Sequence, residues 1–193
     1  MNQLQEEFNK ELRNTNREGI KELIEAMEKG GFYTAPCSGQ HHLAKPEGLL
    51  EHSLNVLEYM RKLNEAWKNP VSDESVIIVA LLHDLGKMGD HGKSNYVENI
   101  LKSGQRSAAK PYMTNTELIY LPHEVRSVII AERYIWLSED EETAILWHNG
   151  LYGTFKYDIS GKETPLYMLI HFADLWCSRV VETENEDERQ NDM

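Results

Sequence analysis

Apolar residues recur three and four positions apart along much of the chain, which is the spacing of one face of an α-helix. The first such stretch covers residues 20–27 and ends at Gly30. A polar connector follows, and the stretch 49–63 then predicts a longer amphipathic helix that ends before Pro70. Helices therefore dominate the predicted structure.

Three further helices are predicted from capping residues at their starts. These residues are Ser72, Ser138 with Glu141, and Thr164 with Pro165. The helix after Ser72 carries the stretch ALLHDLGK and is expected to end at Gly86. The second is expected to run to about His148 and the third to Val180.

Three regions are harder to interpret from the pattern. Residues 123–136 fit a helix, although their β-branched residues leave a strand open. A short helix is expected from Tyr96 to Leu101, and residues 150–161 are either a loop or a small hairpin. The sequence has no internal repeat and no run of alternating strands, so the predicted fold class is all-α, with room for one small β-hairpin.

Composition points to one globular domain. The chain has 193 residues, of which 40% are hydrophobic and 27% charged, as in ordinary globular proteins. The net charge of −12 argues against binding of duplex nucleic acid, which requires clustered Lys and Arg, but it allows a small anionic substrate if local cations offset the field. We expect one domain over residues 1–181 and an acidic, disordered tail over 182–193, where six acids face one Arg.

The sequence favours a cytoplasmic location. Its first sixteen residues lack the apolar core of a signal peptide, and no stretch is long and apolar enough for a membrane span. Cys37 and Cys177 are too few for a disulfide framework, so both are expected to be reduced and structural.

Candidate chemistry lies in histidines that interrupt apolar sequence. Four of the eight histidines lie on or at the ends of four different predicted helices: His52, His83, His123 and His148. A single buried histidine usually finds hydrogen-bond partners within the core. Four in one small core find them less easily, because each buried ring nitrogen needs a partner. Asp84 and Asp174 add buried carboxylates, and a shared divalent cation would satisfy both groups of residues.

The order His52, His83-Asp84, His123, His148 and Asp174 resembles the HD-domain phosphohydrolase superfamily, whose ligands run H…HD…H…H…D on an all-α core. The flanking sequences GLLEHS and HDLGK are also similar to that family. The resemblance covers residues 48–179, which it identifies as the core of an HD-domain-like helical bundle.

The resemblance implies a metal centre. His52, His83, Asp84 and Asp174 would hold one ion, and Asp84 would bridge to a second ion held by His123 and His148. Imidazole and carboxylate ligands suit Mn, Fe, Co, Ni or Zn better than Mg, although Mg stays open. The choice between one ion and two also stays open at this point, and the resemblance allows a homodimer.

Two cations are candidates for contact with a substrate phosphate. The family resemblance places Lys87 at the site, where it would act in catalysis with Asp84; a solvated lysine at a helix end is the alternative. Arg126 lies three residues after His123 on the same predicted helix face and could bind phosphate or form a surface ion pair. His171 could orient Asp174 or belong to the core.

These residues together predict a metal-dependent phosphohydrolase that acts on a nucleotide or a small phosphate mono- or diester. Two alternatives come from other classes. One is a catalytically silent sensor of nucleotide or metal, in which ligands are often missing, whereas this sequence has a candidate for each. The other is a structural bundle whose histidines are core residues and which would purify without stoichiometric metal.

Overall fold

The computed structural model describes residues 2–183, and helices dominate it. Within that range the helices are α1 (Gln3–Asn14), α2 (Ile20–Gly30), α3 (Gly48–Ala66), α4 (Asp73–Leu82), α5 (His123–Glu132), α6 (Glu139–Trp147) and α7 (Pro165–Trp176). One turn of π-helix, Cys177–Val181, continues α7. The predicted all-α class is therefore confirmed, and residues 123–132 are helical rather than extended.

The predicted helix starts are confirmed by their hydrogen bonds. The Ser72 hydroxyl accepts from the backbone N–H of Ser75, and the Thr164 hydroxyl accepts from that of Tyr167. Ser138 and Glu141 form the full capping box, each side chain accepting from the other's backbone N–H. These caps satisfy amides that have no partner inside the helix, so short-range sequence determines where these helices begin.

The β structure consists of two small antiparallel pairs that lie between α4 and α5. Strand β1 (Gly89–Asp90) pairs with β2 (Lys93–Ser94), and β3 (Tyr96–Glu98) pairs with β4 (Tyr112–Thr114). The helix predicted from Tyr96 to Leu101 is therefore wrong. Its apolar residues Val97, Ile100 and Leu101 are all exposed, and so short a helix is unstable without a buried face.

Residues 150–161 form turns, with a 3-10 turn at Gly150–Tyr152 and no strand. Of the two readings left open for this segment, the loop is the one observed. The strands were missed elsewhere because they are two or three residues long and carry little alternation of polar and apolar residues.

Helix α4 lies at the centre of the core. All seven residues from Val76 to Leu82 are buried, and the helix packs against α1, α3, α6 and α7. It is apolar on all sides because neighbours cover every face. With ten residues α4 is too short for a bilayer, and no helix within residues 2–183 combines the length and apolar character that a membrane crossing requires.

The sequence pattern missed helix α1. Its buried side chains are Phe8, Asn9 and Leu12, and the Phe8 ring packs on Phe32 and Tyr33. Leu4, Phe8 and Leu12 are the three apolar residues among its twelve, which is a weak periodic signal, so the helix depends on packing against the rest of the core.

The acidic tail was predicted to begin at Glu182. That residue is instead 2% exposed and its side chain lies inside the fold, so Glu182 is wrongly assigned to a solvated segment. Residues 184–193 of the predicted tail lie outside the described residues, and a single domain over 1–181 stays a prediction.

Asp90 joins the strand region to α5. Its carboxylate accepts two hydrogen bonds from the Arg133 guanidinium, at 2.8 and 2.7 Å, which lower the pKa of Asp90 to about 2. Replacing Asp90 by Asn is expected to lower the free energy of unfolding by about 1 kcal/mol at pH 7. Because the pKa is lower in the folded protein, this stabilisation is present above about pH 4 and is lost as the pH falls through 2.

Urea denaturation of Asp90→Asn and wild-type protein between pH 7 and pH 2 measures this effect. Glu98→Gln is the matched control, because Glu98 pairs with Arg106 only at 3.6 Å and is exposed. Equal stability of Asp90→Asn and wild type at pH 7 would contradict the prediction.

Candidate metal centre

The predicted pair His83-Asp84 follows directly on the C-terminus of α4. The helix was expected to continue to Gly86, but it ends at Leu82 and a 3-10 turn covers Leu85–Met88. The backbone N–H of Lys87 donates to the Asp84 carbonyl in this tighter turn. The pair is thus held at the end of the most buried helix of the fold.

Two predicted ligands from other helices lie beside this pair. The Nε2 atom of His52, on α3, lies 3.3 Å from Nε2 of His83 and 3.6 Å from Oδ2 of Asp84. Asp174, on α7, brings Oδ1 to 3.2 Å from the same His52 atom. His83 Nε2 lies 3.4 Å from Asp84 Oδ2. Four donor atoms from three regions of the chain therefore converge at ligand-to-ligand distances.

The other two predicted histidines face the second carboxylate oxygen of Asp84. His123 begins α5 and His148 follows α6, and their Nε2 atoms are 3.3 Å apart. Oδ1 of Asp84 lies 3.2 Å from His123 Nε2 and 3.6 Å from His148 Nε2. The structure thus brings all six predicted ligands together, with Asp84 between two groups of side chains.

Asp84 Oδ1 is a buried oxygen that receives no hydrogen bond from the described residues. Its neighbours are imidazole Nε2 atoms that lie near it without hydrogen-bond geometry. A buried carboxylate oxygen without a partner is costly, and a cation bound by the same nitrogens would satisfy it. The residues therefore fit a divalent metal.

Hydrogen bonds at Nδ1 orient two of the histidines so that Nε2 can bind a metal ion. His83 Nδ1 lies 2.9 Å from the Ala80 carbonyl, and His148 Nδ1 lies 2.7 Å from the Ile145 carbonyl. A carbonyl oxygen only accepts, so both rings carry hydrogen on Nδ1 and, when neutral, leave Nε2 free to bind a cation. This is the usual support of a metal-binding histidine.

Burial and neighbouring charges shift the acid–base properties of the centre. Burial and the adjacent His83 lower the pKa of His148 to about 3, so this ring is neutral at physiological pH. Burial alone would raise the pKa of Asp84, but Lys87 and His83 outweigh it and hold the pKa well below its ordinary value. The centre thus presents a neutral imidazole beside an ionised carboxylate, which are the forms that bind metal.

Lys87 lies beside Asp84, and its role in catalysis stays a prediction. Its Nζ is 2.6 Å from Asp84 Oδ2, and the side chain borders a cavity of about 360 Å³ that His42, His148 and Asp174 also line. Burial would lower the pKa of Lys87, but Asp84 raises it well above its ordinary value, so the amine is charged. The lysine is therefore placed between the carboxylate and the cavity.

Arg126 lies near the centre, but its guanidinium already contacts other groups of the protein. It is 5% exposed, one nitrogen donates to the Ile119 carbonyl at 2.8 Å, and another lies 3.7 Å from Asp90. The residue also lines a cavity of about 580 Å³ beside His123. Its guanidinium helps to hold the loop before α5, and substrate binding by Arg126 stays a prediction.

Three residues beside the centre have contacts that the sequence did not indicate. His171 donates from Nδ1 to the His148 carbonyl and so supports that ligand rather than Asp174. His42, expected in a loop near the entrance, has its Nε2 3.3 Å from Cys37 Sγ, and His42, Cys37 and His52 form another group that could hold a metal. Burial raises the pKa of Cys37 to about 11, so the thiol is neutral.

Sequence reasoning also missed Glu182, which lies against His52. The residue is the first of an acidic run, and composition alone favours exposure for the whole run. The two valines that precede it in RVVE were the only local signal of burial, and that signal is weak.

Gly86 allows the turn after Asp84 to approach α5. A Cβ at this position would lie 2.2 Å from the His123 carbonyl oxygen and 3.0 Å from the Ser127 backbone nitrogen. Replacing Gly86 by Ala is therefore expected to lower the free energy of unfolding by about 1–3 kcal/mol and to displace His123. Urea denaturation and metal titration measure the two effects.

Gly104→Asn provides the control for this substitution. Gly104 has a positive φ that Asn tolerates, and open space surrounds it, so little change is expected. Unchanged stability of Gly86→Ala would mean that the backbones separate without strain, contrary to the prediction.

A helical bundle with buried histidine and aspartate ligands converging from several helices is one of the ways in which proteins build metal centres. The HD domain family matches residues 49–174, a range that begins just before His52 and ends at Asp174. The chain belongs to the HD-domain family, a superfamily of metal-dependent hydrolases whose domains bind divalent metals. Comparisons with curated proteins and with solved structures found no match.

Proposed function

We propose that this protein is a metal-dependent phosphohydrolase that acts on a nucleotide or a small phosphate mono- or diester. The observation that supports the proposal most is the convergence of six ligand candidates around Asp84, whose Oδ1 is buried and lacks a hydrogen bond within the described residues. In a purely structural core, a buried carboxylate oxygen is expected to accept a hydrogen bond.

The ligand set favours two ions. Oδ2 of Asp84 faces His52 and His83, whereas Oδ1 faces His123 and His148. One ion would be held by His52, His83, Asp84 and Asp174, and the other by Asp84, His123 and His148. Mixed imidazole and carboxylate donors favour Mn, Fe, Co, Ni or Zn.

Metal ions bound here would supply Lewis acidity toward a phosphoryl oxygen and lower the pKa of a water molecule. The protein's own residues provide the rest. Hydrogen bonds from Nδ1 of His83 and His148 to backbone carbonyls fix the orientation of both rings, with Nε2 directed at the centre. The ligands are therefore already in position before a metal or a substrate binds. His123 is the most exposed of the four ligand histidines and borders the cavity of about 580 Å³, which offers an approach to the centre in addition to the cavity of about 360 Å³ beside Lys87.

Lys87 is proposed to bind the substrate phosphate. Its ammonium group borders the cavity with Arg179 and offers positive charge in a protein whose net charge is −12. A phosphoryl oxygen in that cavity could accept a hydrogen bond from Nζ while Asp84 keeps the amine charged. Hydrolysis would form a bond between a water oxygen and phosphorus and break the bond from phosphorus to the leaving oxygen, and one proton of the water would pass to the leaving alcohol or phosphate.

The cavities match a small substrate. Those of about 360 and 580 Å³ both include Asn149 and Tyr152 in their walls, which places the two on either side of one turn. Such volumes are typical of small-molecule sites. The acidic net charge also disfavours a long nucleic acid.

A substrate panel tests the proposal. Chelator-stripped protein is reloaded separately with Mn, Co, Ni, Zn or Mg, and incubated with nucleoside mono-, di- and triphosphates and with bis(p-nitrophenyl) phosphate. Phosphate release and chromatography of products identify the bond that is cut, and His83→Ala is the inactive control. Hydrolysis by the reloaded wild type alone supports the proposal, whereas nucleotide binding without turnover across the panel would favour a sensor.

A further inference from the structure

Glu182 contacts His52, one of the fully buried histidines of the candidate centre. Its Oε1 and Oε2 atoms lie 2.9 and 3.1 Å from Nδ1 of His52, and Oε1 accepts from the Asn55 amide at 3.1 Å. The residue is 2% exposed. Both carboxylate oxygens therefore lie against one imidazole nitrogen, and one of them also binds an amide.

The position of Glu182 depends on how α7 ends. The π-helical turn Cys177–Val181 follows α7, and the backbone N–H of Glu182 donates to the Cys177 carbonyl at 2.9 Å. Asp174 lies on α7 itself and approaches Nε2 of His52, whereas Glu182 approaches Nδ1. One C-terminal segment therefore brings a carboxylate to each nitrogen of the same imidazole.

The partner of Nδ1 distinguishes His52 from two other ligand candidates. His83 and His148 donate from Nδ1 to backbone carbonyls, which are neutral acceptors. A carboxylate in that position orients the ring and also increases its basicity toward a cation at Nε2. Glu182 lies after the range that matches the HD domain family, which ends at residue 174.

We infer that Glu182 is a positioning residue of the metal centre, which holds His52 with Nε2 directed at the cation and strengthens its bond to the ion. The inference rests on the proposed function, because it requires a metal at His52. It extends the functional centre beyond the family domain to the residue that follows the π-helical turn. Removal of such a carboxylate typically weakens metal binding by about 10- to 100-fold.

Cobalt(II) binding to Glu182→Gln tests the inference without any substrate. Glutamine has the same size and keeps an acceptor oxygen but lacks the charge. We expect about 10- to 100-fold weaker binding of one ion in competition with a chelating dye, together with an altered cobalt absorption spectrum. Glu141→Gln is the matched control, since Glu141 is equally buried but pairs with Arg17 away from the centre, so its cobalt affinity and spectrum should equal those of wild type.

The outcomes separate the two proposals. If wild-type protein binds no cobalt, the metal centre itself is refuted, and the role of Glu182 with it. If wild type binds cobalt and Glu182→Gln matches it in affinity and spectrum, only the role of Glu182 is overturned. Should Glu182→Gln fail to fold, Asn55→Ser replaces it, with an expected loss of about fivefold from one missing hydrogen bond to the carboxylate; unchanged affinity there overturns the inference.

Discussion

Replacing Asp84 by alanine is expected to abolish metal binding and to lower hydrolysis by about 10³-fold or more, the largest effect of any single substitution in this chain. Asp84 lies between the two groups of side chains, with Oδ2 near one group and Oδ1 near the other. Its loss also removes the carboxylate that lies 2.6 Å from the Lys87 ammonium. That buried positive charge would then lie beside the two groups of histidines without a negative charge to balance it.

The measurement is metal content after reloading, together with initial rates on the best substrate of the panel. Asp90→Ala is the matched control because Asp90 is also an aspartate with a largely buried side chain, but it pairs with Arg133 and not with the ligand candidates. Asp84→Ala protein that retains two ions, or that turns over substrate at the wild-type rate, would refute the proposed bridge.

Replacing His148 by alanine is expected to reduce the bound metal from two ions to one and to lower the rate by about 100-fold or more. The ion on that side would keep only His123 and one oxygen of Asp84, which is too few ligands for tight binding. The ion held with His52, His83 and Asp174 should remain, because none of those residues shares a hydrogen bond with His148.

Metal stoichiometry by elemental analysis separates the two sides of the centre. His123→Ala should give the same stoichiometry, and since His123 is partly exposed it tests the point with less disturbance of the core. His91→Asn serves as control, because His91 is exposed and has a positive φ that Asn adopts readily. One ion in wild type, or two in both ligand variants, would contradict the two-ion arrangement.

Local signals predicted the starts of helices, and tertiary contacts decided what local signals could not. Ser72, Ser138 and Thr164 act within one turn of their own helices, so a reader of the sequence can recognise them. The end of α4 depends instead on how closely the turn at Gly86 approaches the His123 carbonyl, a contact across 37 positions of sequence that no local pattern contains.

The candidate site shows the same division. His52, His83, His123 and His148 were predictable because polar residues in apolar surroundings require an explanation, and their order matched a known pattern. Glu182 was not, because its neighbours after position 183 are polar and acidic, and its burial depends on the π-helical turn that precedes it. The strand at Tyr96 was missed because its pairing partner lies beyond a long loop, at residue 114.

The six ligand candidates lie on five helices or directly after them, and two of them follow the central helix α4. An unfolded chain would not hold these side chains together, so ions bind the native state and stabilise it by mass action, by about 2.7 kcal/mol per site at a hundred times the dissociation constant. Metal supply would then govern the durability of the whole protein as well as its activity. Metal-free protein would unfold more often, and proteases that cleave unfolded chains would then remove it selectively.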